Sequence, residues 1–333
     1  MILVQMFGAK RLLFVKEGYS VAEVERPEVL GVSRVAVVGC GESGCRTLRR
    51  IIERTPKCVE TVAIADKRQL KKTKADRNIR LEKALFRQNM PEACYANAIR
   101  SLKEGLVPHL DNFDVVFVTA HAAHELDTSM ASVALDAAKE QGATAVAFVT
   151  LPSEGLKMEL AKKEIEQLRE SADAVVVLDE GRIFENVPDV PLPRHRLASA
   201  IAADVIKAIS ETLFLVNPHY KLTKELLKGL CVPFLKFGLT KTEIYVSQQD
   251  LLLKARSDDA AGAIVTLTFM FSVGMGLTVE EFNEVIERMM FDALKGTQNA
   301  IIDARAGNEP LGSYVAKLVG VLTGLRWECL EAY

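Results

Sequence analysis

The chain has no CxxC pair. Its six cysteines, Cys40, Cys45, Cys58, Cys94, Cys231 and Cys329, lie scattered, and no signal-peptide pattern opens the sequence, so a reducing cytoplasm is the expected setting. Charge of one sign is not in excess either: 42 basic side chains face 44 acidic ones, a net charge of −2. That balance excludes a whole-surface footprint for nucleic acid or an anionic membrane, so partners have to be read from local sites. Long apolar runs are missing as well. The longest, Ala263 to Leu277, is interrupted by Thr266, Thr268, Ser272 and two glycines, and falls short of the roughly 20 residues a spanning helix needs. No membrane span, lipidation box, low-complexity tail or internal repeat is expected.

What is present is ordinary globular material, with 49% hydrophobic and 26% charged residues over 333 positions, enough for two domains sharing a large core. From about residue 33 to 180, short β-branched runs alternate with longer amphipathic stretches, the pattern of a parallel sheet covered by helices. Strands are predicted at Arg34 to Gly39, Glu60 to Ala65, Asp114 to Thr119, Thr144 to Leu151 and Ala174 to Leu178. Helices are predicted at Glu42 to Glu53, Glu92 to Glu104, Thr128 to Gln141 and Glu154 to Ser171.

After Pro188, Pro191 and Pro193 comes a helical pattern from His195 to Val216, in which Leu197, Ile201, Val205, Ile209 and Leu213 form one buried stripe. Beyond Asn217-Pro218 the texture changes. A short helix at Leu222 to Leu230, strands at Glu243 to Val246, Gly262 to Val273, Asn299 to Asp303 and Val315 to Leu322, and a helix at Val279 to Leu294 describe a smaller α+β unit. The expected division is an N-terminal extension (1–32), an α/β domain (33–194), a central helix (195–217) and a C-terminal domain (218–333). In the extension, Ile2 to Met6 and Leu12 to Lys16 flank Gly8 as a small hairpin would.

The stretch Arg34-Val-Ala-Val-Val-Gly39-Cys-Gly41-Glu-Ser-Gly44 runs a hydrophobic strand into glycines that open a helix. Such glycines let backbone N–H groups approach a phosphate at the positive end of a helix. They equally suit a tight strand-to-helix turn with no ligand at all. The same pattern leaves open a Rossmann-type NAD(P) enzyme, for which Asp66 stands at about the right distance to hold a ribose.

Val35 to Cys45, Thr61 to Asp76, Val115 to Ala120 and Leu168 to Asp179 resemble, in order, successive segments of FtsZ, the tubulin-like cell-division GTPase family. Leu277 to Asn283 and Asn299 to Arg305 are similar to a helix and strand of its C-terminal domain. The resemblance implies an α/β tubulin/FtsZ-like fold: a Rossmann-type parallel-sheet GTP-binding domain, a long central helix, and a smaller α+β domain. It further implies head-to-tail stacking of subunits. By position, the nucleotide contacts that persist are Gly39, Gly41, Gly44, Thr128, Glu154 and Arg182.

The departures bear on activity. Where the family has a glycine- and threonine-rich phosphate loop, this chain has His121-Ala-Ala-His124-Glu125-Leu-Asp127-Thr128-Ser129. Every glycine there is replaced, and Glu125 and Asp127 add like charge beside any triphosphate. Glu42 replaces a glycine of the first turn, Arg46 replaces an asparagine, and Ala200 stands at the position of the guanine-reading aspartate, with Asp204 one turn further on. Of the two hydrolytic aspartates, the alignment leaves Leu222 and Glu225, so Glu225 is the one candidate catalytic residue. Leucine can neither orient nor deprotonate water.

The expectation is a protein with weak or no GTP hydrolysis, binding GTP or GDP weakly or not at all and acting as a filament subunit or as a regulator of a true tubulin-like GTPase. An active, divergent, polymer-forming GTPase is the alternative. His121, His124, Glu125 and Asp127 are a cluster with metal-ligand chemistry, but Asp127 and the Thr128-Ser129 pair read more simply as a helix N-cap, and no metal site is expected. A further reading has His121 or His124 filling the phosphate pocket. Self-association, or association with another FtsZ-like protein, is expected through a lower loop (His219, Lys221, Lys224, Glu225) meeting upper acids (Glu42, Glu125, Asp127).

Overall fold

The computed structural model describes residues 2–6, 11–16, 20–25, 34–54, 59–81, 92–152, 156–181, 183, 194–215, 227–238, 262–270, 300–307 and 316–326. In chain order the strands are β1 (Ile2–Met6), β2 (Arg11–Lys16), β3 (Ser20–Glu25), β4 (Val35–Cys40), β5 (Val59–Ala65), β6 (Arg77–Arg80), β7 (Val115–His121), β8 (Thr144–Leu151), β9 (Ala174–Asp179), β10 (Gly229–Gly238), β11 (Gly262–Met270), β12 (Ala300–Gly307) and β13 (Ala316–Leu325). The helices are α1 (Gly41–Arg54), α2 (Lys67–Thr73), α3 (Glu92–Leu106), α4 (Glu125–Glu140), α5 (Leu156–Ser171) and α6 (Arg194–Leu215).

These strands form one sheet of order β3-β2-β1-β12-β11-β13-β10-β9-β8-β7-β4-β5-β6. From β9 to β6 every pairing is parallel. The central strands β4, β8 and β9 are buried at every residue, which is why they read as continuous β-branched runs rather than alternating ones. Phe117 and Phe148 meet edge to face at 5.7 Å between β7 and β8. On the other side β10, β13 and β11 pair antiparallel, and β12 and β1 continue in parallel. Helix α6 packs on α1 and also touches β8, β9, β11 and β13, so it spans both halves, as its apolar stripe predicts.

At the start of the parallel strands, carboxylates fasten the ladder. Asp114 accepts the Arg34 N–H at 2.7 Å, Asp173 accepts the Ala145 N–H at 2.8 Å, and Asp76 accepts both the N–H and the hydroxyl of Thr61. Because the strands are parallel, the opposite ends of β4, β5, β7 and β9 gather along one edge, where ligand sites form in open α/β sheets.

Several expectations are corrected. Gly229 and Leu230 belong to strand β10, not to a helix: β10 pairs with β9 on one flank and β13 on the other, and that long-range pairing outweighs the local helical pattern. The described part of the predicted helix at 222–230 is therefore not helical, and the rest lies outside the described residues. Helix α4 begins at Glu125 rather than Thr128, because the turn closes at Ala123. The hairpin β1-β2 is present with a third strand, β3, and joins the C-terminal half through β12. The predicted strand at Glu243 to Val246 and helix at Val279 to Leu294 lie outside the described residues.

Candidate functional site

Gly39, Gly41 and Gly44 shape the β4–α1 turn, and each is held by close packing. A Cβ on Gly39 would stand 2.8 Å from the Gly44 carbonyl oxygen, and one on Gly44 would run into the Thr119 carbonyl of β7. Gly41 has φ +67, a left-handed conformation that favours glycine, and a Cβ there would collide with the carboxylate of Asp127. The space over Gly41, at the positive end of α1, is thus filled by a side chain from the first turn of α4. A carboxylate there is stabilised by the α1 dipole, as a phosphate would be. Asp127 is buried at 8% exposure.

The β7–α4 turn is built without glycine. Ala123 takes φ +66, and its N–H donates to Glu164 Oε2 of α5 at 2.7 Å. The Thr128 hydroxyl donates to the same oxygen at 2.7 Å. Glu164 is 4% exposed and its Oε1 has no hydrogen-bond partner among the described residues. Both donors therefore meet one buried carboxylate, the hydroxyl also lying 3.3 Å from the His124 carbonyl oxygen. His124 occupies the N-cap position of α4 with no side-chain cap bond. The expected cap by Asp127 and the Thr128-Ser129 pair is thus corrected: Asp127 and Thr128 sit inside the first turn, turned toward Gly41 and Glu164.

His121 and His124 stack edge to face with ring centroids 5.7 Å apart. Burial opposes charge on His121, but Glu180, with Oε1 3.5 Å from Nε2, together with the Ala122 carbonyl and Asp127, raises its pKa above the usual histidine value. His124 goes the other way: burial, then the charges of His121 and Lys157, lower it. The two rings are thus shifted in opposite directions. Cys40, fully buried, has its thiol pushed well up by burial and by Asp127, so it packs as a small hydrophobe.

Around these residues lies a cavity of about 450 Å³, reached by Glu42, Arg46, Asp66, His121, His124 and Asp127. Both histidines therefore line it. Asp66 caps α2, accepting the N–H groups of Arg68 and Gln69 at 3.0 and 2.9 Å. Among the described residues no three His, Cys, Asp or Glu side chains converge as a metal cage. A triphosphate does not fit this lining. Its cradle over Gly41 is filled, and each of Glu42, Asp66 and Asp127 would oppose a phosphate charge at 4 Å by about 4 kcal/mol at an effective dielectric near 20.

Of the residues singled out in sequence, Gly39, Gly41, Gly44 and Thr128 come together here. Glu154, Arg182, Leu222 and Glu225 lie outside the described residues, as do His219, Lys221 and Lys224. Asp127 is buried, which corrects its assignment to an exposed acidic face. Sequence reasoning missed Glu164 and Glu180. Each acts on a residue dozens of positions away, and the only signal in the sequence was an acid on the apolar side of α5 and another just past β9.

The chain matches the family profile described as Tubulin/FtsZ family, GTPase domain, over residues 34–188. It is 30% identical over 340 residues to the cell division protein FtsZ 2 of Halobacterium salinarum, covering 94% of this chain and 84% of the relative. It is 29% identical to the FtsZ 2 of Methanocaldococcus jannaschii, at 94% and 86% coverage. Among solved structures, an empty FtsZ dimer from M. jannaschii superposes with TM-score 0.74 at 27% identity, covering 89% of each chain. CetZ from Methanosaeta thermophila shares the fold at TM-score 0.67 and 18% identity, covering 90% of this chain and 89% of its own. These matches leave the NAD(P)-enzyme alternative unsupported, and the Asp66 carboxylate it needs is engaged in capping α2.

Proposed function

The chain belongs to the FtsZ/tubulin superfamily, and from that premise we propose that it is a cytoskeletal, cell-division-related member that works in the cytoplasm with little or no GTP turnover. In this reading it serves as a filament subunit or as a regulator of a true tubulin-like GTPase. The observation that carries it is the Asp127 carboxylate seated over Gly41, where an incoming phosphate would have to displace it. Commitment of the Ala123 N–H and the Thr128 hydroxyl to Glu164 supports the same reading. Leucine at position 222 removes one of the two acids that the resemblance assigns to hydrolysis, leaving Glu225 alone.

Calorimetry with magnesium and GTP tests the proposal. The expected result is no binding tighter than about 100 μM and turnover below about 0.02 per second. Micromolar GTP affinity in the unaltered chain overturns it. Asp127→Gly should open the cradle and strengthen GTP binding by about tenfold or more, since it removes one close like charge.

Association is proposed to be weak, salt-sensitive and independent of nucleotide, through the exposed Glu42 and Glu125 of the upper edge. Sedimentation at low and high salt reads it. Polymers that form only with GTP would contradict it.

A further inference from the structure

A second cavity of about 450 Å³ adjoins the first, sharing Glu42, Arg46 and Gln69 with it. It lies between the outward face of α1, the last turn of α2 and the start of α6. Five cations line it, Arg46, Arg49 and Arg50 of α1, Lys72 of α2 and Arg196 of α6, against the two carboxylates of Glu42 and Glu53. The surplus of positive charge is brought together by three elements rather than by one helix alone.

The arginine forks here are poorly satisfied from within. Arg46 stands 3.6 Å from Glu42 and Arg50 3.8 Å from Glu53, ion-pair contacts longer than a charged hydrogen bond. Arg49 reaches only the Thr73 hydroxyl, at 3.4 Å. Lys72 and Arg196 have no ion-pair partner among the described residues. Arg46, held at 21% side-chain exposure, has its pKa lowered chiefly by burial, with Glu42 and Glu180 opposing and Arg49 and Arg196 adding to the shift. Crowding of cations costs stability unless an anion relieves it.

The two cavities have opposite character. The one beside Gly41, where the resemblance puts phosphates, holds three acids, Glu42, Asp66 and Asp127, with Arg46, His121 and His124. The one beside Arg196 is basic. Ala200 stands one helical turn beyond Arg196, at the position that the resemblance assigns to reading a guanine base. We infer that the α1–α2–α6 cleft is an oligophosphate site, taking a di- or triphosphate group on Arg46, Arg49, Arg50, Lys72 and Arg196. Planar guanidinium forks pair with phosphate oxygens two at a time, which a compact ligand in a half-open cleft exploits better than an extended acidic peptide does. The phosphate group comes either from free inorganic polyphosphate or from the tail of a nucleotide whose remainder extends into the adjoining cavity. The inference stands apart from the proposed loss of GTP turnover, because its cations Arg49, Arg50, Lys72 and Arg196 do not line the cavity over Gly41.

Titration of the full chain with inorganic tripolyphosphate, in about 50 mM and about 300 mM salt, tests it. The expected dissociation constant at low salt is about 10–100 μM, weakening severalfold at the higher salt. Arg196→Gln and Arg46→Gln should each weaken it by about tenfold, as loss of a charge-assisted hydrogen bond does, and Arg50→Gln serves if either folds poorly. Loss of tripolyphosphate binding in Arg196→Gln, a residue that lines this cleft and not the cavity over Gly41, keeps this test separate from that of the proposed function. Tighter binding of a nucleotide than of tripolyphosphate, lost in the same arginine variants, supports the nucleotide-tail source; equal binding supports free polyphosphate. The inference is overturned by absence of binding at millimolar tripolyphosphate or by affinity indifferent to the arginine variants. It is also overturned by hexaglutamate binding more tightly than tripolyphosphate.

Discussion

The β4–α1 and β7–α4 turns lie side by side at the same edge of the sheet and have opposite relations to glycine. The first keeps Gly39, Gly41 and Gly44, and each is required by a neighbouring atom of the protein itself. The second has no glycine, yet it still takes a left-handed residue at Ala123 and holds it with a buried carboxylate. A glycine signature is therefore evidence of close packing first and of a ligand second. The β7–α4 turn reaches its left-handed residue without glycine and fixes the Ala123 N–H on Glu164.

The largest effect that could break this contrast is Gly44→Ala. Its new methyl meets the β7 backbone at Thr119, which cannot yield as a flexible side chain can, so destabilisation of about 3 kcal/mol or more is expected in urea unfolding. A loss under about 1 kcal/mol would mean that α1 is free to shift and that the glycines were kept for another reason.

Next comes Glu164→Ala, which strands the Ala123 N–H and leaves the Thr128 hydroxyl only the longer contact to the His124 carbonyl. A loss of about 2–3 kcal/mol is expected, and Glu164→Gln should recover part of it because the amide oxygen still accepts. Were the two variants equivalent, the carboxylate would be acting through volume alone.

A smaller effect of opposite sign is expected for Ala123→Gly, a gain of about 1 kcal/mol in unfolding free energy. Adding a glycine should thus stabilise one turn while removing one destabilises the other. A loss on Ala123→Gly would dissolve the comparison.

The least effect on stability lies with the histidine pair, best followed by NMR titration. His121 should titrate above, and His124 below, the ordinary value near 6.5. Since the folded pKa of His121 is raised, its contribution to stability is complete below about pH 6.5 and is lost as pH rises through its folded pKa. For His124 the folded pKa is depressed, so protonation favours unfolding and stability falls as pH drops below about 6.5. The two oppose each other. Glu180→Gln should abolish the upward shift of His121 and with it the alkaline-side loss.

The parallel half was legible in sequence because its strands are buried on both faces and its helices carry clear apolar stripes. Legibility failed where pattern and context disagree. Residues Lys67–Thr73 and Arg77–Arg80 are too polar to signal α2 and β6, yet Asp66 caps the one and β5 pairs the other. Pro233 disguises β10, whose order comes from its neighbours β9 and β13. At the site, the missing glycines could be read directly. Burial of Asp127 against Gly41 could not, since it depends on two turns far apart in sequence meeting at one edge. The arginines of α1 and Arg196 of α6 were equally invisible as a group until the two helices were packed together.

One feature of the sheet sets how its halves can move. Strand β10 pairs with β9 through only Gly229, Leu230 and Cys231, then runs on along β13 to Gly238, with a register irregularity between Leu230 and Val232. Gly229 and Gly324 both take φ +69 beside it. The sheet thus narrows to a three-residue weld between two broad plates, with α6 as a splint across it. Load passed between the plates is shared by three residues of β-ladder and by α6, which touches β8 and β9 on one side and β11 and β13 on the other.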